Sequence, residues 1–599
     1  MSKLLLAACL LMTSPLMAQV NHKSTTLPLN QETSDRLIRR DEEQDFRVNL
    51  RKDQYYTIIA EQKGIDLVLT LKDKNGKTIK KIDSPNGRFG PEKMIFSPDT
   101  TAPFSLTLKP LADSSNSNEG KYSIVVKSLP AKLPRFTTQQ LYQDFDILKN
   151  AFIETRVGLW YSSYALFDSL CSAQRNKIRN NMNALEFYRI MAPVVTYTHE
   201  GHCNIRPSDE TGSYIRQNYG YFPFLVKILQ GKIYILNDLD GLKTRGLMIT
   251  KINGQSADSI MQVFRNIEPG DGYSTTSFDH WIGSAFSRYY ASFFNPVTTF
   301  DLELEHPGTH QKTVYKNVPA CSVKRFVRLS DSLAAALPNY RSKDGATFVL
   351  DSSNSTGILT VTSFSLDDYE GRRKGFKRFL AETFKTLKEQ QVKHLVIDVR
   401  DNGGGEQGME DHLLSYLISK PYSKYKYVEI PAFTFSFLRY SDRKKNPAGL
   451  TQELQEEFYQ AGDGRYLNKK GYYEGDSVKA DHFDGDLCIL ISGYTFSGGS
   501  EFAAMAKNYT RARFIGEETG GGYYGNTSGT FIRYILPNTQ LTGRIPLCKF
   551  VPETLNNSIP FGHGVIPDHY IQPTIDDYLN GRDVEMAYAK ALFAGKSKP

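Results

Sequence analysis

Three short stretches of the chain carry residues suited to acyl transfer without a metal. The first is Gly493-Tyr494-Thr495-Phe496-Ser497-Gly498-Gly499-Ser500-Glu501, in which an apolar strand runs into a helix through a turn containing paired glycines. Ser497 falls at the amino terminus of that helix, where unpaired backbone N–H groups and the positive end of the helix dipole stabilise an alkoxide or an oxyanion. The same letters also suit a plain helix cap, with Ser500 or Glu501 closing a capping box. The second stretch, Asp398-Val399-Arg400-Asp401-Asn402-Gly403-Gly404-Gly405, directly follows a buried strand. Its glycines can take left-handed dihedrals and bring backbone N–H groups close to a substrate, which makes Gly404 a candidate oxyanion partner; a sharp turn between strand and helix asks for the same residues. The third, His199-Glu200-Gly201-His202, offers an imidazole that titrates near neutrality and can take up and return a proton. Its histidines lack the helical His-Glu-x-x-His spacing of zinc proteases, so metal catalysis is disfavoured and no cofactor is expected.

The elements that must position these residues follow from the hydrophobic pattern. From Gly357 onward the order is strand (Ile358 to Phe364), helix (Gly375 to Gln390), buried strand (His394 to Val399) and glycine loop; a second copy follows, with strand Asp486 to Ser492, helix Ser497 to Tyr509 and strand Arg513 to Gly516. This alternation predicts an α/β core with its chemistry where strands end. Upstream, from about Arg36 to Lys127, short alternating runs such as Tyr55-Tyr56-Thr57-Ile58-Ile59 and Leu67-Val68-Leu69-Thr70-Leu71 are broken by turns that include Asn75-Gly76, the pattern of an all-β sandwich. A stiff linker, Leu129-Pro130-Ala131-Lys132-Leu133-Pro134, leads into a stretch from Thr137 to Ala192 with apolar residues at helical spacing, among them Leu141, Phe145, Leu148 and Phe152. Strands return between about Tyr221 and Ala320.

Taken in order, the glycine loop, the Thr-Phe-Ser-Gly-Gly-Ser-Glu-Phe-Ala segment, Ile515-Gly516-Glu517-Glu518-Thr519-Gly520-Gly521-Gly522 and the terminal Gly564-Val565-Ile566-Pro567-Asp568 resemble the carboxyl-terminal-processing and tricorn-type serine peptidases over roughly residues 137 to 580. The resemblance implies a crotonase-like α/β core, Ser497 as nucleophile, and Gly498 and Gly404 as oxyanion-hole donors. One branch of that superfamily activates its serine with a lysine downstream of the serine helix, but here Gly520-Gly521-Gly522-Tyr523-Tyr524-Gly525 holds no lysine and the next after Lys507 is Lys549. Glu200-Gly201-His202 resembles the Asp-Gly-His signature that supplies histidine in the tricorn-like branch, which implies His202 as the base. The same branch orients its histidine with an acid between the serine helix and the terminal motif; Glu553 is the nearest candidate, Glu517 and Glu518 compete with it, and a structural role is open for all three. Gly241 to Gln255 resembles the central strand and turn of a PDZ module, without that module's glycine-rich carboxylate loop. Arg156-Val157-Gly158-Leu159-Trp160 stands where relatives often carry His-Pro-Gly-Leu. The all-β region resembles, more loosely, the pre-peptidase domains of secreted bacterial proteases.

At 599 residues the chain needs several cores, and 23% charged residues with a net charge of +8 spread along it leave no nucleic-acid footprint. Met1-Ser2-Lys3 and the apolar run Leu4 to Met12, followed by Pro15 and Ala18, read as a signal peptide cut after Ala18. Cys9 comes too early for a lipoprotein anchor, and no later stretch is long and apolar enough to span a bilayer. The expected organisation is a signal peptide (1–18), a β-sandwich (35–130), a helical module carrying the histidine (135–210), a PDZ-like module (220–320) and an α/β peptidase core (321–590). The expected activity is that of an exported, periplasmic or extracellular serine endopeptidase acting on peptides or unfolded proteins. The alternatives are a catalytically inactive peptide- or ligand-binding protein on the same scaffold and an esterase using the same serine.

Overall fold

The computed structural model describes residues 24–595 apart from 85–86, 114–115, 157–159, 240, 337–343, 352–354 and 556. The expected signal peptide and the Val157-Gly158-Leu159 part of the departure from His-Pro-Gly-Leu lie outside the described residues. The chain divides into two compact units, Met1–Ala131 and Lys132–Pro599.

In the first unit two β-sheets share one core. One sheet orders its strands Thr25–Thr26, Gln44–Leu50, Ala102–Pro110, Leu67–Lys72 and Thr78–Ile82; the other runs Thr33–Arg39, Glu119–Ser128, Tyr56–Lys63 and Phe89–Phe96. Period-two alternation turns Leu67, Leu69 and Leu71 inward to meet Ile58, Ala60, Ile124 and Val126 from the second sheet. Gly76, at φ +83°, supplies the left-handed residue of the turn between Leu67–Lys72 and Thr78–Ile82.

The second unit begins with helices Thr138–Thr155, Tyr164–Arg175 and Ala184–Thr196, the first and third closed by capping boxes on Thr137 and Asn183. An antiparallel sheet follows, ordered Val226–Leu229, Lys232–Ile235, Met248–Ile252, Thr299–Glu305 and Lys312–Pro319, with helix Ala257–Arg265 and the long helix Thr276–Phe293 beside it.

The later part of the second unit is built on a six-stranded sheet ordered Ala346–Asp351, Thr356–Val361, His394–Asp398, Asp486–Ile491, Arg513–Gly516 and His569–Tyr570. Its first pair is antiparallel and the other four pairings are parallel. Strand Asp486–Ile491 is buried from Leu487 onward because the sheet is covered on both faces, the condition that turns a parallel strand into an unbroken apolar run. Leu487, Ile489 and Ile491 pack with Phe502, Ala503 and Ala506 of helix Gly498–Tyr509. Cys488 and Leu490 point the other way, to Ala589 of the terminal helix Val584–Phe593.

A second sheet was not foreseen in the 321–590 segment. It joins Asn204–Arg206, Thr542–Pro552, Tyr425–Ile430, Tyr466–Asn468 and Phe458–Gln460 in that order, with Asn526–Ile535 also paired to Thr542–Pro552. Through it the stretch expected to be a helical module gives up a strand to a sheet built from residues more than three hundred positions later: Asn204 pairs with Arg544, Ile205 with Gly543 and Arg206 with Thr542.

Candidate active site

The serine turn is held from the side of the glycine loop. Thr495 Oγ1 donates to the Val399 carbonyl at 2.8 Å, Ser492 Oγ to the Arg400 carbonyl at 2.5 Å and the Phe496 N–H to the Asn402 carbonyl at 3.0 Å. Arg400 in turn is clamped by Asp398 and Asp583, both at 2.7 Å, and by Glu585 at 3.1 Å, which fastens the loop to the start of the terminal helix. Ser497 emerges at φ 53°, ψ −127°, a region in which a non-glycine side chain is strained. Its hydroxyl makes no capping bond, so the plain helix cap is not what this serine does; Ser500 Oγ donates instead to the Ser497 carbonyl at 2.8 Å.

The hydroxyl faces His202, whose Nε2 lies 3.0 Å from Ser497 Oγ. His202 follows helix Ala184–Thr196 and immediately precedes the strand Asn204–Arg206, and both of its flanks are pinned. The Gly201 N–H donates to Asp271 at 2.8 Å, and Arg544 Nε donates to the His202 carbonyl at 2.9 Å. The imidazole lies between the rings of Phe496 and Phe531, at 4.8 and 5.8 Å. Burial in this apolar slot pushes its pKa down to about 3, with the Arg544 charge acting in the same direction and a backbone contact with Thr527 opposing them. His202 is therefore neutral at ordinary pH. With its proton on Nδ1, it presents Nε2 as an acceptor to the serine.

Nδ1 is buried and has no hydrogen-bond partner among the described residues. Glu553 does not orient the ring as expected: its backbone N–H donates to the Lys424 carbonyl at 3.1 Å, at the end of strand Thr542–Pro552, and its side chain makes no hydrogen bond to His202. Glu517 is taken by His280 at 2.6 Å, and Glu518 by His563 Nδ1 at 3.1 Å and the Gly564 N–H at 2.8 Å. The acid beside the histidine segment is Glu200, which accepts a hydrogen bond from Thr527 Oγ1. Burial, reinforced by the charge of Asp271, raises the Glu200 pKa to about 8; burial also raises that of Asp271 to about 7.

The glycine loop differs from expectation in one position. The Gly404 N–H is already spent on Asn402 Oδ1 at 2.8 Å, so it cannot also receive an oxyanion. Gly405 is the next residue, its N–H takes part in no hydrogen bond among the described residues, and that nitrogen lies 3.7 Å from where a side chain on Gly498 would begin. The Gly498 N–H is likewise open. Gly498 and Gly405 therefore offer two unspent backbone N–H groups beside Ser497 among the described residues. Gly404, at φ +94°, serves by smallness: a Cβ there would sit 2.6 Å from Ser497 Cβ.

Asn402, fully buried, ties this arrangement to the sheet by donating from Nδ2 to the Val361 carbonyl at 3.1 Å. Its place in Asp-Asn-Gly-Gly-Gly was a visible signal. Thr527 and Arg544 had none, because their roles exist only through pairing with a distant segment.

Two clefts lie in this region, and Ser497 lines the first. One, of about 410 Å³, is lined by Ser497, Gly498 and Gly405 together with Glu457, Tyr473 and Phe531. The other, of about 300 Å³, is lined by Gly201 and Cys203, which flank the histidine, and by Arg288, Arg544 and Tyr494.

Residues 355–571 match the sequence profile of peptidase family S41. No curated protein matches the chain. Among solved structures, mature CPAF aligns with 77% of this chain and 99% of its own at 15% identity and a TM-score of 0.52. A CPAF variant carrying a serine-to-alanine substitution aligns over the same shares at 14% identity and a TM-score of 0.54. These likenesses establish a shared fold. The tricorn protease aligns with 82% of this chain and 39% of its own at 13% identity, with a TM-score of 0.31.

Proposed function

We propose that this chain, whose residues 355–571 match peptidase family S41 of the carboxyl-terminal-processing proteases, is a serine endopeptidase with Ser497 as nucleophile and His202 as general base. The observation that carries this reading is the 3.0 Å approach of His202 Nε2 to the hydroxyl of a serine held in a strained backbone at a helix amino terminus. A serine kept only for structure gains nothing from that strain.

In the proposed mechanism a peptide carbonyl enters beside Ser497 with its oxygen toward the Gly498 and Gly405 N–H groups. His202 takes the hydroxyl proton as Oγ attacks, and the two donors stabilise the charge that develops on the oxygen. The imidazolium then passes its proton to the leaving amine. A water enters along the same path and attacks the acyl carbon as it gives its proton to His202, which then returns that proton to Ser497 Oγ as the carbon–oxygen bond breaks and the acid product leaves. Glu200, through Thr527, is the buried acid that supports the histidine segment; none of these steps passes through Glu553.

We read the antiparallel sheet between Val226 and Pro319 as the PDZ-like module and the six-stranded sheet as the crotonase-like core. The apolar run Leu4 to Met12 supports export as the setting. Among the described residues no helix is long and apolar enough to cross a membrane.

The test is digestion of an unbiased peptide mixture, followed by mass spectrometry, with the wild type beside Ser497→Ala and His202→Ala. Each substitution is expected to lower kcat by at least about 10³-fold. Activity that survives Ser497→Ala overturns the mechanism, and a wild type that cleaves nothing while binding peptides favours the inactive binding protein.

A further inference from the structure

We propose that the cleft walled by Arg206, Arg288 and Arg544 is a binding site for a dianionic oxyanion of the phosphate class. Ser497 does not line this cleft, and its occupancy does not depend on whether that serine cleaves peptides.

The walls are built by two elements. Asn204 pairs with Arg544 and Arg206 with Thr542, so Arg206 and Arg544 stand on one face of the sheet, diagonal to each other across the strand pair. Helix Thr276–Phe293 supplies a further wall: Trp281, Ser284 and Arg288 recur at helical spacing, share one face, and all line the cleft. The enclosed space of about 300 Å³ has room for an ion or a small organic molecule.

The charge on these walls is one-sided. Three guanidinium groups stand against a single carboxylate, Glu268. Glu268 is buried and already used twice, accepting from the Tyr289 hydroxyl at 2.7 Å and pairing with Arg206 at 3.3 Å. Arg288 lies over the ring of Tyr289 and Arg544 over that of Phe531, at 5.3 and 4.8 Å, and neither is in a salt bridge among the described residues. Arg544 spends its Nε on the His202 carbonyl at 2.9 Å, and its two Nη groups make no hydrogen bond among the described residues. Burial pulls the Arg544 pKa down, and the charges of Arg206 and Arg533 act in the same direction against Cys203 and Glu268. That is the sign of cations gathered without enough counter-charge. The fold thus brings together residues 206, 288 and 544 at a cost in repulsion that a bound anion offsets.

The class of anion follows from number and geometry. With Arg206 matched to Glu268, Arg288 and Arg544 leave two positive charges uncancelled. A carboxylate is satisfied by one guanidinium fork in its own plane. Two forks that reach the cleft from a helix and a strand instead suit a tetrahedral dianion, whose oxygens can be shared between them. The Trp281 ring, packed edge-on against Phe496 at 5.2 Å, adds an apolar wall for an organic group that such an anion could carry. The ligand is therefore a phosphate group, either free or as a monoester.

The test is calorimetric titration of the full-length protein with inorganic phosphate, phenyl phosphate and acetate at constant ionic strength. Fluorescence is the second readout, because Trp281 is one of only two tryptophans in the chain and Trp281→Phe isolates its signal. One saturable phosphate site is expected, weakened about tenfold or more in Arg288→Gln and in Arg544→Lys by the loss of charge-assisted hydrogen bonds. Arg288 is exposed, so its variant tests the site even where Arg544→Lys fails to fold. Tighter binding of phenyl phosphate than of inorganic phosphate assigns the ligand to a monoester; equal or weaker binding assigns it to the free ion, and either upholds the site. Absence of saturable phosphate binding, binding that Arg288→Gln leaves unchanged, or acetate bound as tightly as phosphate overturns the proposal.

Discussion

At the scale of single residues, the chemistry depends on where protons reside. His202 is screened from water by Phe496 and Phe531, and burial with the Arg544 charge outweighs the backbone contact with Thr527 that would favour a charged imidazole. Its pKa of about 3 stands below the ordinary 6.5, so the neutral, proton-accepting form persists as pH falls through the range in which a free histidine becomes charged. The acid limb of kcat/KM should therefore lie below pH ~5 rather than near 6.5. A stopped assay across pH 3 to 9 on a buffer-independent substrate would decide it, and a midpoint at 6.5 would show that the ring is solvated. The same shift works on stability with a definite sign: a base whose folded pKa is depressed contributes stability above its unfolded pKa and loses it as pH falls through the folded value. His202→Gln should accordingly flatten the decline of Tm on the acid side, between about 6.5 and 3.

At the scale of elements, the serine helix is held to the second sheet by a buried ionic cluster. Glu501, on helix Gly498–Tyr509, accepts from Tyr425 at 2.8 Å and Asn526 at 3.0 Å, and Lys424 sits between it and the short helix Met409–Leu414 that carries Glu410 and Asp411. Lys424 is 1% exposed, so its removal strands carboxylates where water cannot reach them. Lys424→Met should lower unfolding free energy by roughly 3–5 kcal/mol in urea titration, the cost of breaking a buried pair from one side. A loss below ~1 kcal/mol would mean that breaking the pair leaves no uncompensated buried charge. The glycine loop shows the same dependence between elements. A Cβ on Gly405 would lie 2.1 Å from the Phe364 carbonyl carbon, so Gly405→Ala should push the loop from its strand and cost at least about a hundredfold in kcat by displacing an oxyanion donor.

At the scale of the molecule, each compact unit has its own interior. Among the described residues the core built from Leu27 to Val126 draws only on the first unit, and every residue of the candidate site lies after Ala131. A chain beginning at Lys132 should fold with a single cooperative transition and keep the kcat/KM of the full chain on short peptides within a factor of about three, given a self-sufficient core. Loss of the folded state, seen by circular dichroism, would show that the second unit needs the first.

What the sequence determined is what lies within reach of local physics. The run Leu487 to Ile491 forces a buried strand, the paired glycines after Ser497 force a tight entry into a helix, and the missing lysine between Lys507 and Lys549 turns attention to a histidine. Each depends on neighbours a few residues away, and the order of motifs carried the family. The partners of the site were not legible, because they are set by pairing across hundreds of residues. Arg544 reaches His202 only because Thr542–Pro552 pairs with Asn204–Arg206, and Thr527 reaches Glu200 through the next strand of the same sheet. Likewise, whether Gly404 or Gly405 faces the substrate turns on one hydrogen bond from the Asn402 side chain. Spacing along the chain identifies residue types capable of the chemistry; which of their atoms are free to do it is decided by hydrogen bonds that form only once the sheets have closed.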